Sequence, residues 1–405
     1  MRGTSERTPG RERVGGVMAG WNRQRAAGAM WRGLAVFVSA ATVSAQPPPR
    51  INMGQDRPGQ VSTPDLAEPV LKLLDATYLT DDERKDLRIF HGVWKEGDLD
   101  TPQRRARAAL IRGLLDDPSL SDPAVSPEDR AEGALLRGDL DQAVQLVGEA
   151  DSARSIRIRA QALEGLGKFD AAAAAIEPLV ERLKTHQVST PEELVEGVRA
   201  LVLRSRVRPQ EEPAGGDFKQ MESLLALCRD QLGRLYWPAY VVEAELLHDK
   251  DNSKDAGAAV MRALSLNPSC AEAWMLLGQM GVESFNFDGA EEVAAKLDAL
   301  NGGPSPGAAI TLARARMRQN DPDGAAALIQ PMLERYPRMR PLLSVQAAVA
   351  ALRYDFEATD RLLSAFDALS PGSPDALLEV GRTLSEARQY AQAAKYLGHA
   401  AARAP

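Results

Sequence analysis

The chain has 405 residues, 44% of them hydrophobic but only 5% aromatic, with two cysteines and four histidines. Its 49 Lys and Arg stand against 56 Asp and Glu, a formal net charge of −7. Length alone suggests two to three globular domains; two cysteines exclude a disulfide framework and a Cys₄ zinc site, and an acidic balance argues against broad binding to nucleic acid, whose phosphates need a basic face.

Residues 1–45 read as a targeting segment. Seven arginines, Arg2 to Arg32, face two acids, Glu6 and Glu12. An apolar run, Leu34–Val43, follows, with Val43 and Ala45 at the −3 and −1 positions before Gln46. A basic flank, a short apolar run and small residues at the cut make a secretory signal peptide. The run is too short for a stable membrane span, which needs about 20 apolar residues. Export to the periplasm or exterior, with cleavage near Ala45, is therefore expected, and Met1, Met18 or Met30 can each be the start. Without this segment the net charge falls to −12. Residues 46–63, rich in Pro, Gly and Gln, read as a disordered lead-in.

From residue 64 the chain repeats itself. Residues 64–125 suggest a degenerate first hairpin, with Phe90 and Trp94 before Gly97-Asp98-Leu99 and a Pro/Asp-rich loop at 116–126. Residues 126–236 carry a looser pattern in Gly138-Asp139-Leu140, Gly167-Lys168-Phe169 and Gly216-Asp217-Phe218, with an insertion at 206–215. Residues 237–405 hold five regular units. Pro337, Pro371 and Pro405 lie 34 residues apart, and Pro268 lies about two periods before Pro337. Matching positions recur between them: Tyr240, Ala244, Ala256, Ala263; then Trp274, Gly278, Ala290, Leu297; then Ala309, Ala313, Ala325, Met332; then Leu343, Ala347, Thr359, Phe366; then Leu377, Gly381, Ala393, Ala400.

This pattern resembles the tetratricopeptide repeat (TPR) family. The stretches Ala271-Glu-Ala-Trp-Met-Leu-Leu-Gly278 and Phe287-Asp-Gly-Ala290 carry the likeness most directly. The resemblance implies an all-α fold, a right-handed α-solenoid of antiparallel helical hairpins. Its pattern has a physical cause: small residues let the two helices of a hairpin cross closely, bulky ones fill the space beside the crossing, and proline ends the second helix. A hairpin cannot bury its own apolar face, so the units must stack.

Chemistry is scarce in this chain. His91, His186, His248 and His399 are dispersed, with no HExxH, and neither a phosphate-binding glycine loop nor a GxSxG elbow occurs. Acid pairs such as Asp81-Asp82 and Glu291-Glu292 sit at helix starts or turns and lack a calcium-loop frame. Cys228 falls in a second helix and Cys270 at a repeat boundary; they can pair only if their Cα atoms lie within about 7 Å. No cofactor, metal or catalytic residue is expected.

In the resembled family the first helix of each hairpin forms the inner wall that meets a partner. Carried over, the wall comprises Val241, Val242, Glu245 and His248, then Met275, Leu276, Gln279 and Val282, then Ile310, Arg314, Met317 and Arg318. These residue types suggest an apolar floor with polar punctuation. The Lys and Asn of the family's dicarboxylate clamp are missing, so an amphipathic helix or extended apolar peptide suits the groove better than a chaperone tail. The expectation is a non-catalytic scaffold for a protein partner, of unknown oligomeric state. The alternative is a partner- or substrate-presenting module of a longer enzyme, such as a metallopeptidase, since no capping helix follows Pro405.

Overall fold

A computed structural model describes residues 63–185, 188–208 and 216–403. The export segment 1–45, nearly all of the lead-in, His186, most of the 206–215 insertion and Pro405 lie outside the described residues. The regular structure of the described residues is helical throughout. The helices are α1 (Glu68–Leu74), α2 (Asp81–Phe90), α3 (Pro102–Arg112), α4 (Pro127–Arg137), α5 (Leu140–Val147), α6 (Ala153–Gly165), α7 (Phe169–Lys184), α8 (Pro191–Val207) and α9 (Gly216–Leu227). They continue with α10 (Trp237–Asp249), α11 (Ser253–Leu266), α12 (Ala271–Glu283), α13 (Phe287–Asn301), α14 (Pro306–Arg318), α15 (Pro322–Arg335), α16 (Arg340–Leu352), α17 (Phe356–Leu369), α18 (Asp375–Glu386) and α19 (Tyr390–Arg403).

Sequence sets the ends of these helices. Thr80 and Thr190 open α2 and α8 with reciprocal bonds to Glu83 and Glu193, which satisfy two otherwise orphaned backbone donors. Asn286, Asp321 and Asp355 cap α13, α15 and α17 by accepting from the third backbone N–H of each helix. Pro268, Pro337 and Pro371 follow the ends of α11, α15 and α17 by two residues, as expected for a residue that forces its predecessor out of the helical region.

Packing follows the same repeat. From α4 to α19 each helix packs on its successor, and the first helices of neighbouring hairpins also touch, as α16 does α18. The crossing residues Ala244, Ala313 and Ala347 in first helices, and Ala256, Ala290 and Ala325 in second helices, are fully buried. The result is an all-α solenoid. Cys228 and Cys270 are both buried free thiols, each in its own hairpin.

The turn between the helices of a hairpin comes in two versions. In the last five hairpins it holds a non-glycine residue in the left-handed region: Asp251, Phe285, Asn320, Tyr354 and Arg388, all with φ between 59° and 62°. In earlier hairpins the left-handed position is a glycine, among them Gly138 at φ 86° and Gly167 at φ 70°.

Glycine is required there because the solenoid coils back on itself. A Cβ on Gly138 would lie 2.0 Å from the Arg338 carbonyl oxygen, and one on Gly167 would lie 2.2 Å from that of Pro371. The turns of the early hairpins thus rest on the turns that join the late hairpins. This seam begins at α1, where the Ala67 N–H donates to the Ser265 carbonyl (2.8 Å). The Phe90 carbonyl then accepts from Trp237 Nε1 (2.8 Å) and Asn267 Nδ2 (3.0 Å). Ser269 Oγ donates to the Gly92 carbonyl (2.7 Å), and the buried His91 sets Nδ1 2.9 Å from the Leu266 carbonyl. Further on, Asp116 pairs with Arg335, Asp139 with Arg338, and Ser370 Oγ donates to the Gly165 carbonyl.

Candidate functional site

The concave side of a solenoid is where alternate hairpins come closest. Ion pairs that span an intervening helix therefore mark the inner wall. Arg199 of α8 reaches Glu272 of α12 at 2.7 Å, passing α10. Arg314 of α14 holds Glu379 of α18 with two bonds of 2.9 and 3.0 Å, passing α16. Arg318, one turn later, meets Glu386 at 2.5 Å. The helix they span is buried along nearly its whole length, from Leu342 to Leu352, and apart from Gln346 this stretch is built from Ala, Val, Leu and Ser. Small side chains on α16 leave room for the longer ones of its neighbours to meet above it.

The early hairpins continue this charged wall. Arg154 of α6 pairs with Asp129 of α4 at 2.5 Å. Arg157 is buried, donates to both oxygens of Glu132 and places Nε 2.7 Å from Glu196 Oε2 of α8. Burial alone would raise the pKa of Glu132, yet the charge and hydrogen bonds of Arg157 bring it down to about 2. Glu196 also faces Arg199 at 4.0 Å, which joins the network to Glu272. These residues form an ionic spine from α4 through α6 and α8 to α12.

Each of the wall residues named from the sequence now has a place. Val241, Val242, Leu276, Val282, Ile310 and Met317 are buried among core side chains. They shape the wall from behind rather than offering contact surface. Met275 projects, 41% exposed. Glu245 feels the charges of both Glu272 and Arg199, and burial and the Glu272 charge push its pKa up to about 7. His248 and Gln279 converge on Glu283, a residue outside the carried-over set. His248 Nε2 is 3.3 Å from Glu283 Oε2, and Gln279 Nε2 donates to Glu283 Oε1 at 3.1 Å. Arg382 of α18 approaches the same carboxylate at 3.8 Å.

Electrostatics sharpen this cluster. The hydrogen bond to Glu283 raises the His248 pKa against the opposing effect of burial. Burial would raise Glu283, but bonds from His248 and Gln279 and the nearby positive charges hold it at about 2. When His248 is protonated, its bond to Glu283 is charge-assisted. Arg314 and Arg318 join the same wall through α18. Charged side chains dominate this surface, where residue types alone suggested an apolar floor. On α14 the two arginines named from the sequence pair with residues that lie 65 and 68 positions further along the chain.

A second exposed feature lies at the hairpin turns. Phe285 and Tyr354 are 58% and 68% exposed in left-handed backbone, each set edge-on to a ring two residues later, Phe287 or Phe356. The Arg318 guanidinium sits over Phe285, 5.1 Å from the ring centroid. The repeat spacing of these turns was visible in the sequence; their exposure depends on which edge of the coil is covered.

Among the described residues no helix is long and apolar enough to cross a membrane. No model of a protein family matches the chain, and no curated protein matches it in sequence. Among solved structures, the crystal structure of the APC/C hetero-tetramer Cut9–Hcn1 is similar over 84% of this chain and 90% of that one, with 13% identity and a TM-score of 0.33.

Proposed function

We propose that this chain is an exported, TPR-like scaffold that binds a protein or peptide partner on its inner wall and performs no catalysis of its own. The observation that carries the reading is Met275. A large apolar side chain 41% exposed on a wall of ion pairs supplies the one element that such a wall lacks, an apolar anchor point. Gln279 and Glu283, joined by His248, follow it one and two turns further along the same helix, and Arg314 and Arg318 lie on the next first helix, so fixed charges stand beyond it. A partner segment with one apolar anchor flanked by charges suits this arrangement. The repeats favour the same reading, because stacking presets the shape of a long surface before any partner arrives.

The test is capture of partners from the cell-envelope fraction by the full chain and by Met275→Glu. The variant should lose the partners and keep its helical circular dichroism; the same partners recovered with the variant would refute the assignment. Leu276 is unsuitable for such a test because it is buried. Export has its own test: N-terminal sequencing of the chain from the envelope should begin at Gln46.

A further inference from the structure

The seam between successive turns of the coil has two halves of different character. Its first half is apolar and buried. Val70 is fully buried in the core cluster that holds Trp237, Val241 and Trp274. Phe90 stacks on Tyr236 at 5.6 Å and lies 5.7 Å from Trp237. Leu115 closes this half, buried in the cluster of Tyr336 and Met339.

Beyond Leu115 the seam is held by partly exposed ion pairs and by one buried hydrogen bond, from Ser370 Oγ to the Gly165 carbonyl. Asp116 and Arg335 are 37% and 42% exposed in their side chains, and Asp139 and Arg338 are 34% and 47% exposed at 3.4 Å. Glu164 and Arg340 approach only to 4.0 Å. The Asp116–Arg335 and Asp139–Arg338 pairs, open to solvent, contribute little each and weaken with salt, whereas the apolar half has no such dependence.

We propose that the coil is a latch which parts at its ionic half while its apolar half stays shut. In the parted state α4 to α7 move away from the turns at 335–340 and 370–373, while α1 to α3 remain on α10 to α13. Parting widens the lumen, so the latch regulates access to the inner wall; this consequence rests on the wall being the partner surface. The glycines at 138 and 167 fit a surface that closes again, because they leave room for backbone to meet backbone without side chains to interlock.

Distances between spin labels on the full chain test the latch without any partner. One pair, Asp141→Cys with Glu334→Cys, spans the ionic half. The other, Tyr78→Cys with Lys254→Cys, reports on the apolar half. Raising salt from 50 mM to 1 M should lengthen or broaden the first distance by about 10 Å or more and leave the second unchanged. Arg335→Asp with Arg338→Asp should produce the long distance already at 50 mM salt, with helical signal retained. A first distance that ignores both salt and charge reversal overturns the latch, and so does joint lengthening of both pairs. Neither outcome bears on partner capture by Met275, so the two readings fail separately.

Discussion

Gly138 and Arg338 touch backbone to backbone across two hundred residues of chain, at a distance that excludes even a methyl group. A Cβ at Gly138 would stand 2.0 Å from the Arg338 carbonyl oxygen, in backbone with φ 86°. Two penalties coincide at this residue. Left-handed backbone costs an L side chain roughly 1–2 kcal/mol, and overpacking costs roughly 1–3 kcal/mol. Gly138→Ala should therefore lose about 2–5 kcal/mol. Asn320 sits at the equivalent turn of a late hairpin with φ 61° and free edge. Asn320→Gly should stay within about 0.5 kcal/mol. Urea midpoints for both variants check the contrast; equal losses would mean that the seam does not form in solution.

This contrast shows what a sequence reading reaches. The repeat, the closing prolines and the hairpin turns at Asn286, Asn320 and Tyr354 are local signals, because each follows from which backbone angles a residue accepts. The small crossing residues are legible for the same reason, since helix approach sets their size within one period. Coiling is different. Whether Gly138 meets Arg338 depends on small rotations summed over many hairpins, and no single residue records that sum. The ion pairs are equally beyond a local reading, since Arg314 looks like a lone charge until α18 brings Glu379 beside it.

Arg157 is the residue on which the ionic spine depends most. It is buried and bonds Glu132 and Glu196 from two different helices. Removing one member of a buried ionic group leaves the others uncompensated, at a cost of roughly 3–5 kcal/mol. Arg157→Ala should show that loss by chemical denaturation. Replacing the three together, with Glu132→Leu, Arg157→Met and Glu196→Leu, should recover most of it, because each charge that remains keeps a partner, Arg154 with Asp129 and Arg199 with Glu272. A triple variant as unstable as Arg157→Ala would show that the spine contributes specific geometry beyond mutual compensation.

Glu245 gives stability a pH dependence of a definite sign. Its folded pKa of about 7 lies above the ordinary 4.5. A raised carboxyl favours the protonated fold, so its contribution is complete below 4.5 and disappears as pH rises through about 7. At pH 8 the ionised group faces Glu272 and opposes the fold. Glu245→Gln keeps the shape without the charge, so its melting temperature should exceed the parent's at pH 8 and match it near pH 4. No difference at pH 8 would mean that Arg199 neutralises Glu245 fully.

The buried His91 and the half-buried His248 should titrate with midpoints shifted in opposite directions. Burial lowers His91, whose bond to the Leu266 carbonyl only partly opposes it, while the bond to Glu283 raises His248. For His91 the neutral form belongs to the fold, so its contribution is present above 6.5 and lost as pH falls through its lowered pKa. For His248 the charged form belongs to the fold, and its contribution is present below 6.5 and lost as pH rises through its raised pKa. Imidazole resonances in NMR should therefore give one midpoint on each side of 6.5. Glu283→Gln removes the carboxylate but keeps an amide in its place, leaving burial as the dominant influence on His248. Its midpoint should then drop below 6.5 while His91 stays where it was. If His248 kept a raised midpoint in the variant, Asp249 rather than Glu283 would be its controlling partner, and the inner-wall cluster would lose its central bond.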